Sequence, residues 1–123
     1  MTHGKQVLDD LREPAHALRT LIPDVYAGFS ETHKAALGDG HLDAKTKELI
    51  ALAISVNQQC DGCIASHARG AAMKGATLEE AAEAIGVTIL MGGGPGTVYG
   101  PRAFAAFTEF YERARQRTQA PRG

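Results

Sequence analysis

The chain has no tryptophan, only two cysteines and no long apolar run among its 123 residues. Two cysteines three positions apart cannot cross-link distant parts of a fold, which excludes the disulfide scaffold of small secreted proteins. No apolar stretch approaches the roughly 18 residues that a membrane helix needs, and no basic-then-apolar leader opens the chain. We therefore expect a cytosolic protein with neither a signal peptide nor a transmembrane helix.

An excess of charge of one sign is also missing. The 13 basic and 14 acidic residues give a net charge of -1, and they form no long like-charge block. Nucleic acids and anionic membranes attract strongly basic surfaces, so neither is an expected partner. At 123 residues the chain is long enough for one hydrophobic core, and we expect a single domain over residues 1–123.

Strict alternation of apolar and polar residues between hairpin turns is absent as well, so the sequence predicts no strand. The apolar spacing instead predicts an all-α subunit of about six helices. Residues 5–21 should form one or two short helices with a turn at Pro14. The second helix should run over residues 23–37 and end at the Gly-Asp-Gly segment 38–40.

The third and fourth helices are predicted over about residues 44–57 and 60–74, joined by a turn through Gln58 and Gln59. Asp43 is the expected N-cap of the third helix. The apolar run over residues 49–54 predicts that this helix is buried on most sides. Small side chains on the fourth helix favour close packing, namely Ile64, Ala65, Ala68, Ala71 and Ala72.

The last third of the chain predicts two further helices. Capping-box spacing from Thr77 to Glu80 begins the fifth, which should reach Leu90 or Met91. The glycine-rich segment 92–96 predicts a flexible hinge rather than a phosphate loop, because it follows a helix and lacks the Lys-Ser/Thr pair. The final helix should run from Val98 or Pro101 to Arg117, with residues 118–123 frayed. These two helices carry many large apolar side chains: Ile85, Val87, Ile89, Leu90, Met91, Phe104, Phe107 and Phe110. One small subunit cannot cover all of them, which predicts a homo-oligomer.

The side chains that could take part in catalysis lie close together in the sequence. They are the cysteines of Cys60-Asp61-Gly62-Cys63, His67 after them and Glu48 before them. On one helical turn two cysteines have Cα atoms about 5 to 6 Å apart, so one sulfur can leave as thiolate while the other closes a disulfide. Cys63 and His67 are four residues apart and share a helix face. Glu48 and His67 are equally far from the turn near residue 58, so an antiparallel pair of helices should place them side by side.

The same residues allow other interpretations. Thiolate, imidazole and carboxylate all bind zinc, but three ligands within eight residues of one helix would strain a tetrahedral site. Small apolar cores also contain cysteines without a function. Glu48 could merely complement the positive, N-terminal end of the third helix, and His67 could be an ordinary hydrogen-bonded residue. A thioredoxin-like domain is not favoured, because no strand precedes Cys60. The other histidines are His3, His16, His33 and His41, and we expect them to be exposed. Of these, His33 could face the site from the second helix.

The spacing of Glu48, Cys60, Cys63 and His67 resembles that of the alkyl hydroperoxidase D-like group in the carboxymuconolactone decarboxylase superfamily. The segments 42–54, 66–71 and 75–84 also look like the core of that superfamily. The resemblance spans about residues 25–110. It implies an all-helical subunit that assembles into trimers or hexamers.

Carried over to this chain, the resemblance implies that Cys63 is the peroxidatic thiolate and Cys60 the resolving thiol. Glu48 and His67 would deprotonate the thiols through a water and protonate the departing alcohol. The implied partners are a small hydroperoxide and a dithiol or protein reductant, with no cofactor and no metal.

The sequence departs from the best-known members at one position, where Gly62 replaces a histidine before the second cysteine. The decarboxylase branch of the superfamily lacks the cysteine pair, so lactone decarboxylation is a weaker alternative here. A non-catalytic redox sensor or disulfide carrier is the other alternative.

Overall fold

The computed structural model describes residues 2–119 and contains, over that range, six helices and no strand. The helices are α1 (Lys5–Leu21), α2 (Pro23–Leu37), α3 (Ala44–Asn57), α4 (Asp61–Met73), α5 (Leu78–Gly92) and α6 (Gly94–Gln119). The predicted all-α fold is therefore confirmed. None of these described helices combines the length and the apolar character that crossing a membrane would require.

The capping signals act as the sequence predicts. The Asp43 carboxylate accepts a hydrogen bond of 2.7 Å from the Thr46 N–H and fixes the start of α3. Thr77 and Glu80 form the complete capping box at the start of α5. Gly75, with a φ of 88°, follows α4 in the left-handed conformation that ends many helices. These local interactions confirm the predicted bounds of α3, α4 and α5 to within two residues.

Helix α1 is one continuous helix, so the expected turn at Pro14 is wrong. Proline removes a backbone N–H donor, which leaves the carbonyl of residue 10 without its helical partner. Both Asp10 and Pro14 are exposed, and none of the residues of α1 is buried. Water can therefore solvate the freed carbonyl, and the helix continues.

Helix α6 begins at Gly94, so the predicted start at Val98 or Pro101 is wrong, and only Gly93 separates α5 from α6. Gly93 has a φ of 66°, which turns the chain sharply. Gly96 then packs against α5, where a methyl group would lie 3.0 Å from the Ile89 Cα. Pro95 is in the first turn of α6, where its missing N–H costs nothing.

The end of α6 also differs from the prediction. The helix includes Thr118 and Gln119, which were expected to fray. Residues 120–123 of the predicted tail lie outside the described part of the chain.

The core surrounds α4, whose small side chains let α3 and α6 approach closely. All five of the residues predicted to pack there are buried: Ile64, Ala65, Ala68, Ala71 and Ala72. Leu52 of α3 and Phe107 of α6 are fully buried against them. Helix α3 is less enclosed than its apolar run suggests, because Ile50 and Ile54 are 44% and 51% exposed. These two side chains face a groove between α3 and α5.

Candidate active site

The turn between α3 and α4 presents the first cysteine. Gln59 has a φ of 56°, an unusual value for a residue with a side chain, and reverses the chain after α3. The Cys60 N–H then donates to the Ser55 carbonyl at 3.2 Å, which ties the start of the next helix to the end of α3. The predicted turn through Gln58 and Gln59 is confirmed, and Cys60 is the N-cap of α4.

Cys60 and Cys63 are joined by a disulfide, with their Cα atoms 5.2 Å apart. Both residues are partly buried. The Cys60 sulfur also accepts a hydrogen bond of 3.3 Å from the Cys63 N–H. This N–H and the positive end of the α4 dipole stabilise negative charge on the Cys60 sulfur when the disulfide opens.

Glu48 and His67 meet across the α3–α4 pair, as their equal distance from the turn predicts. The Glu48 Oε2 lies 2.8 Å from the His67 Nδ1. Glu48 is buried, and its side chain is 10% exposed, whereas the His67 side chain is 19% exposed. When the carboxylate is ionised it can only accept a hydrogen bond, and His67 then donates through Nδ1–H. In the neutral form of the ring, this tautomer leaves Nε2 as a proton acceptor. The pair thus orients a base on the helix face that also carries Cys63.

Gly70 belongs to the site as well, although the sequence pattern did not predict it. A methyl group at this position would lie 2.5 to 2.6 Å from the three carboxyl atoms of Glu48. Only a glycine therefore lets the carboxylate lie against the α4 backbone and reach His67. The available signal was a glycine inside a helix, three residues after His67, where alanine would be more favourable for the helix by about 1 kcal/mol.

Two further residues border the site. His33 of α2 stacks on His67, with ring centroids 5.9 Å apart and planes inclined by 15°. His33 is exposed, as expected, but it faces the site, which the sequence raised only as an option. Beside the cysteines, a methyl group at Gly62 would lie 3.1 Å from Leu11 of α1, so this leucine occupies the space next to the backbone there.

The zinc interpretation finds no support in the geometry. Across residues 2–119 no three side chains of His, Cys, Asp or Glu come together in a way that could hold a metal ion. The two sulfurs are bonded to each other, and Glu48 is bonded to His67.

The model of the carboxymuconolactone decarboxylase family matches residues 23–109. That range includes α2 to α5 and most of α6, and it contains all four predicted site residues. Among curated proteins, an uncharacterized protein of Cupriavidus necator is 40% identical over 106 residues, which is 86% of this chain and 94% of that protein.

Two solved structures are similar to the chain. A carboxymuconolactone decarboxylase family protein from Legionella pneumophila, solved in its apo form, has a TM-score of 0.83 and 42% identity, with 86% of this chain and 95% of that chain covered. A family protein from Thermotoga maritima, described as having a possible involvement in the antioxidative response, has a TM-score of 0.73 and 29% identity. The similarity covers 91% of this chain and 95% of the Thermotoga maritima chain.

Proposed function

The chain belongs to the carboxymuconolactone decarboxylase family, and we propose that it is a thiol-dependent peroxidase that reduces alkyl hydroperoxides or hydrogen peroxide. One observation carries the proposal. A disulfide-linked Cys-X-X-Cys pair lies on the same helix as an imidazole that a buried carboxylate orients at 2.8 Å. This combination supplies a nucleophile, a resolving thiol and a proton carrier from two adjacent helices.

The reaction begins with both cysteines reduced. His67 Nε2 accepts the Cys63 proton, and the thiolate attacks one oxygen of the hydroperoxide. A sulfur–oxygen bond forms and the O–O bond breaks, which leaves Cys63 as a sulfenic acid and releases an alkoxide. His67 returns the proton to the alkoxide, so an alcohol departs, or water when the substrate is hydrogen peroxide.

Disulfide formation completes the oxidation of the protein. Cys60 loses its thiol proton, its thiolate attacks the Cys63 sulfur, and the sulfur–oxygen bond of the sulfenic acid breaks. The leaving hydroxide takes up the proton that Cys60 released and departs as water. The two thiols have then supplied the two electrons that reduced the peroxide. An external dithiol or protein reductant attacks the disulfide, and the Cys63 N–H stabilises Cys60 as the sulfur that leaves.

Two further considerations favour this function over others in the family. By the resemblance described above, the decarboxylase branch of the superfamily lacks the cysteine pair. The Thermotoga maritima relative is described in connection with an antioxidative response. A cytosolic location fits the proposal, because thiol reductants keep disulfides open there.

A turnover assay tests the function. Purified protein with excess dithiothreitol is expected to consume cumene hydroperoxide or hydrogen peroxide over many cycles per subunit. Consumption that stops after one peroxide per subunit, with several dithiol and protein reductants, would instead indicate a redox sensor or a disulfide carrier. Activity that persists without both cysteines would point to different chemistry in the same fold.

We also propose that the subunits form a trimer or a hexamer, as the family resemblance implies. Helix α5 exposes four large apolar side chains, with Val87 at 58%, Ile89 at 40%, Leu90 at 81% and Met91 at 73%. Val87 and Met91 line the groove of about 360 Å³ that Ile50 and Ile54 of α3 also face. We expect α6 to contribute less to the contacts between subunits than its sequence predicts, because Phe107 and Phe110 are buried within the subunit.

Light scattering at micromolar concentration is expected to give three or six times the 13.0 kDa of one chain. Val87→Asp should reduce that mass, because it places a charge in the apolar groove, where a partner subunit would have to desolvate it. The mass of a single chain for the unmodified protein would contradict the proposed assembly.

A further inference from the structure

A pocket that is separate from the cysteine pair lies between α1, α4 and α6. Its volume is about 170 Å³. Arg69 lines it and follows His67 by two residues, which is about 200° around the helix. The pocket and the redox pair therefore lie on different faces of α4.

The pocket concentrates positive charge. Among the described residues, five of the protein's thirteen cationic side chains line the pocket, but only one of its fourteen carboxylates does, that of Asp9. The cations are Lys5, Arg12, Arg69, Arg113 and Arg117. Because the whole chain has a net charge of -1, this cluster is a local feature rather than a consequence of a basic protein.

The carboxylates nearby compensate only part of this charge. Asp9 pairs with Lys5 and with Arg12, and Glu109 lies 3.9 Å from Arg113. The hydrogen bond from Lys5, with the charges of Lys5, Arg12 and Arg113, holds the pKa of Asp9 below its usual range. In the described residues, no carboxylate lies within ion-pair distance of Arg69 or Arg117. Within residues 2–119, these two guanidinium groups therefore have no carboxylate partner that an added anion would have to displace.

Between the cations the pocket is apolar. Leu8 of α1, Met73 of α4, and Phe110 and Ala114 of α6 complete the lining. Met73 is 68% exposed and offers a large apolar surface, whereas Phe110 is 8% exposed and belongs to the core. A ligand that matched this lining would need both a negative group and a hydrocarbon part.

We propose that this pocket binds a small organic carboxylate with a short apolar chain. The planar guanidinium groups of Arg69 and Arg117 suit a carboxylate, which accepts two parallel hydrogen bonds. Contact of the hydrocarbon part with Leu8 and Met73 removes apolar surface from water. Inorganic phosphate shares the charge but leaves the apolar lining unoccupied. The site is independent of the proposed peroxide chemistry.

Isothermal titration of the full chain with hexanoate, hexanol and inorganic phosphate tests the proposal without any activity assay. Hexanoate should bind more tightly than either hexanol or phosphate, and its binding should weaken as salt is added. Arg69→Gln and Arg117→Gln should each weaken hexanoate binding by about ten- to a hundredfold, as expected for a lost hydrogen bond to a charged group. Neither substitution leaves a carboxylate unpaired in the described residues.

Arg102→Gln is the matched control. Arg102 is an exposed arginine of α6 that lies over the Tyr99 ring, 4.8 Å from its centroid, and it does not line the pocket. Hexanoate affinity should be unchanged in this variant. No hexanoate binding, equal binding of hexanol or phosphate, or equal losses in Arg69→Gln and Arg102→Gln would each overturn the proposal.

Discussion

Cys63→Ser is expected to abolish both peroxide consumption and the labelling of a sulfenic acid. Serine preserves the volume of the side chain and removes the nucleophile, so the fold should remain intact. Cys60→Ser should still be oxidised once, because it keeps the attacking thiolate, but it cannot form the disulfide. Peroxide consumption and trapping with a dimedone probe, followed by mass spectrometry, measure both effects.

The two serine variants control for each other, because each removes one sulfur of the same disulfide at the start of α4. Sulfenic acid trapped on Cys60 instead of Cys63 would reverse the assigned roles. Peroxide turnover equal to that of the unmodified protein in either variant would refute the two-cysteine mechanism.

Glu48→Gln and His67→Gln are each expected to lower the peroxidase rate by about ten- to ten-thousandfold, the range typical of a lost acid, base or orienting group. Glutamine at position 48 cannot stabilise an imidazolium as a carboxylate does. The double variant should be little slower than the slower single variant, because residues of one relay act as a unit. A four-variant rate cycle measures this coupling, and fully additive losses would refute a shared relay.

Gly70→Ala tests the same relay without altering either of its groups. The added methyl group would overlap the Glu48 carboxylate at 2.5 Å and should displace it from His67. We expect a loss of at least about tenfold in rate, together with loss of the hydrogen-bonded Nδ1–H proton resonance of His67. Alanine also favours the helix by about 1 kcal/mol, so a slower enzyme need not be a less stable one.

Gly86→Ala is the matched control for Gly70→Ala. Gly86 is also inside a helix, α5, and a methyl group there would meet no atom within 4 Å. This variant should keep the full rate and the His67 resonance. An unchanged rate and resonance in Gly70→Ala would show that the Glu48 carboxylate reaches His67 without needing the space at position 70.

The α3–α4 pair could be predicted because its signals are local. Asp43 bonds to a backbone N–H three residues away, and the chain reverses at Gln58 and Gln59. Once the turn is placed, the regular rise of a helix fixes which residues on the two helices come level. The contact between Glu48 and His67 follows from that arithmetic, and it is observed at 2.8 Å.

The misplaced bounds show where local signals compete. Pro14 would break a buried helix, but α1 lies at the surface and continues through it. Gly94 and Pro95 indicate a break in isolation, yet α6 includes both. Gly96 permits this arrangement, because it lets the first turn of α6 pack against the backbone of α5.

The sequence by itself determined the helical class, the cap residues and the alignment of Glu48 with His67, because each depends on spacing along one helix or across one short turn. Only the tertiary structure decided that Gly70 makes room for the carboxylate, that His33 stacks on His67, and that arginines of α4 and α6 share a pocket with α1. Those relations depend on the distances and rotations between helices. Many side chains far apart in the sequence set these distances together when they fill the core at close-packed density.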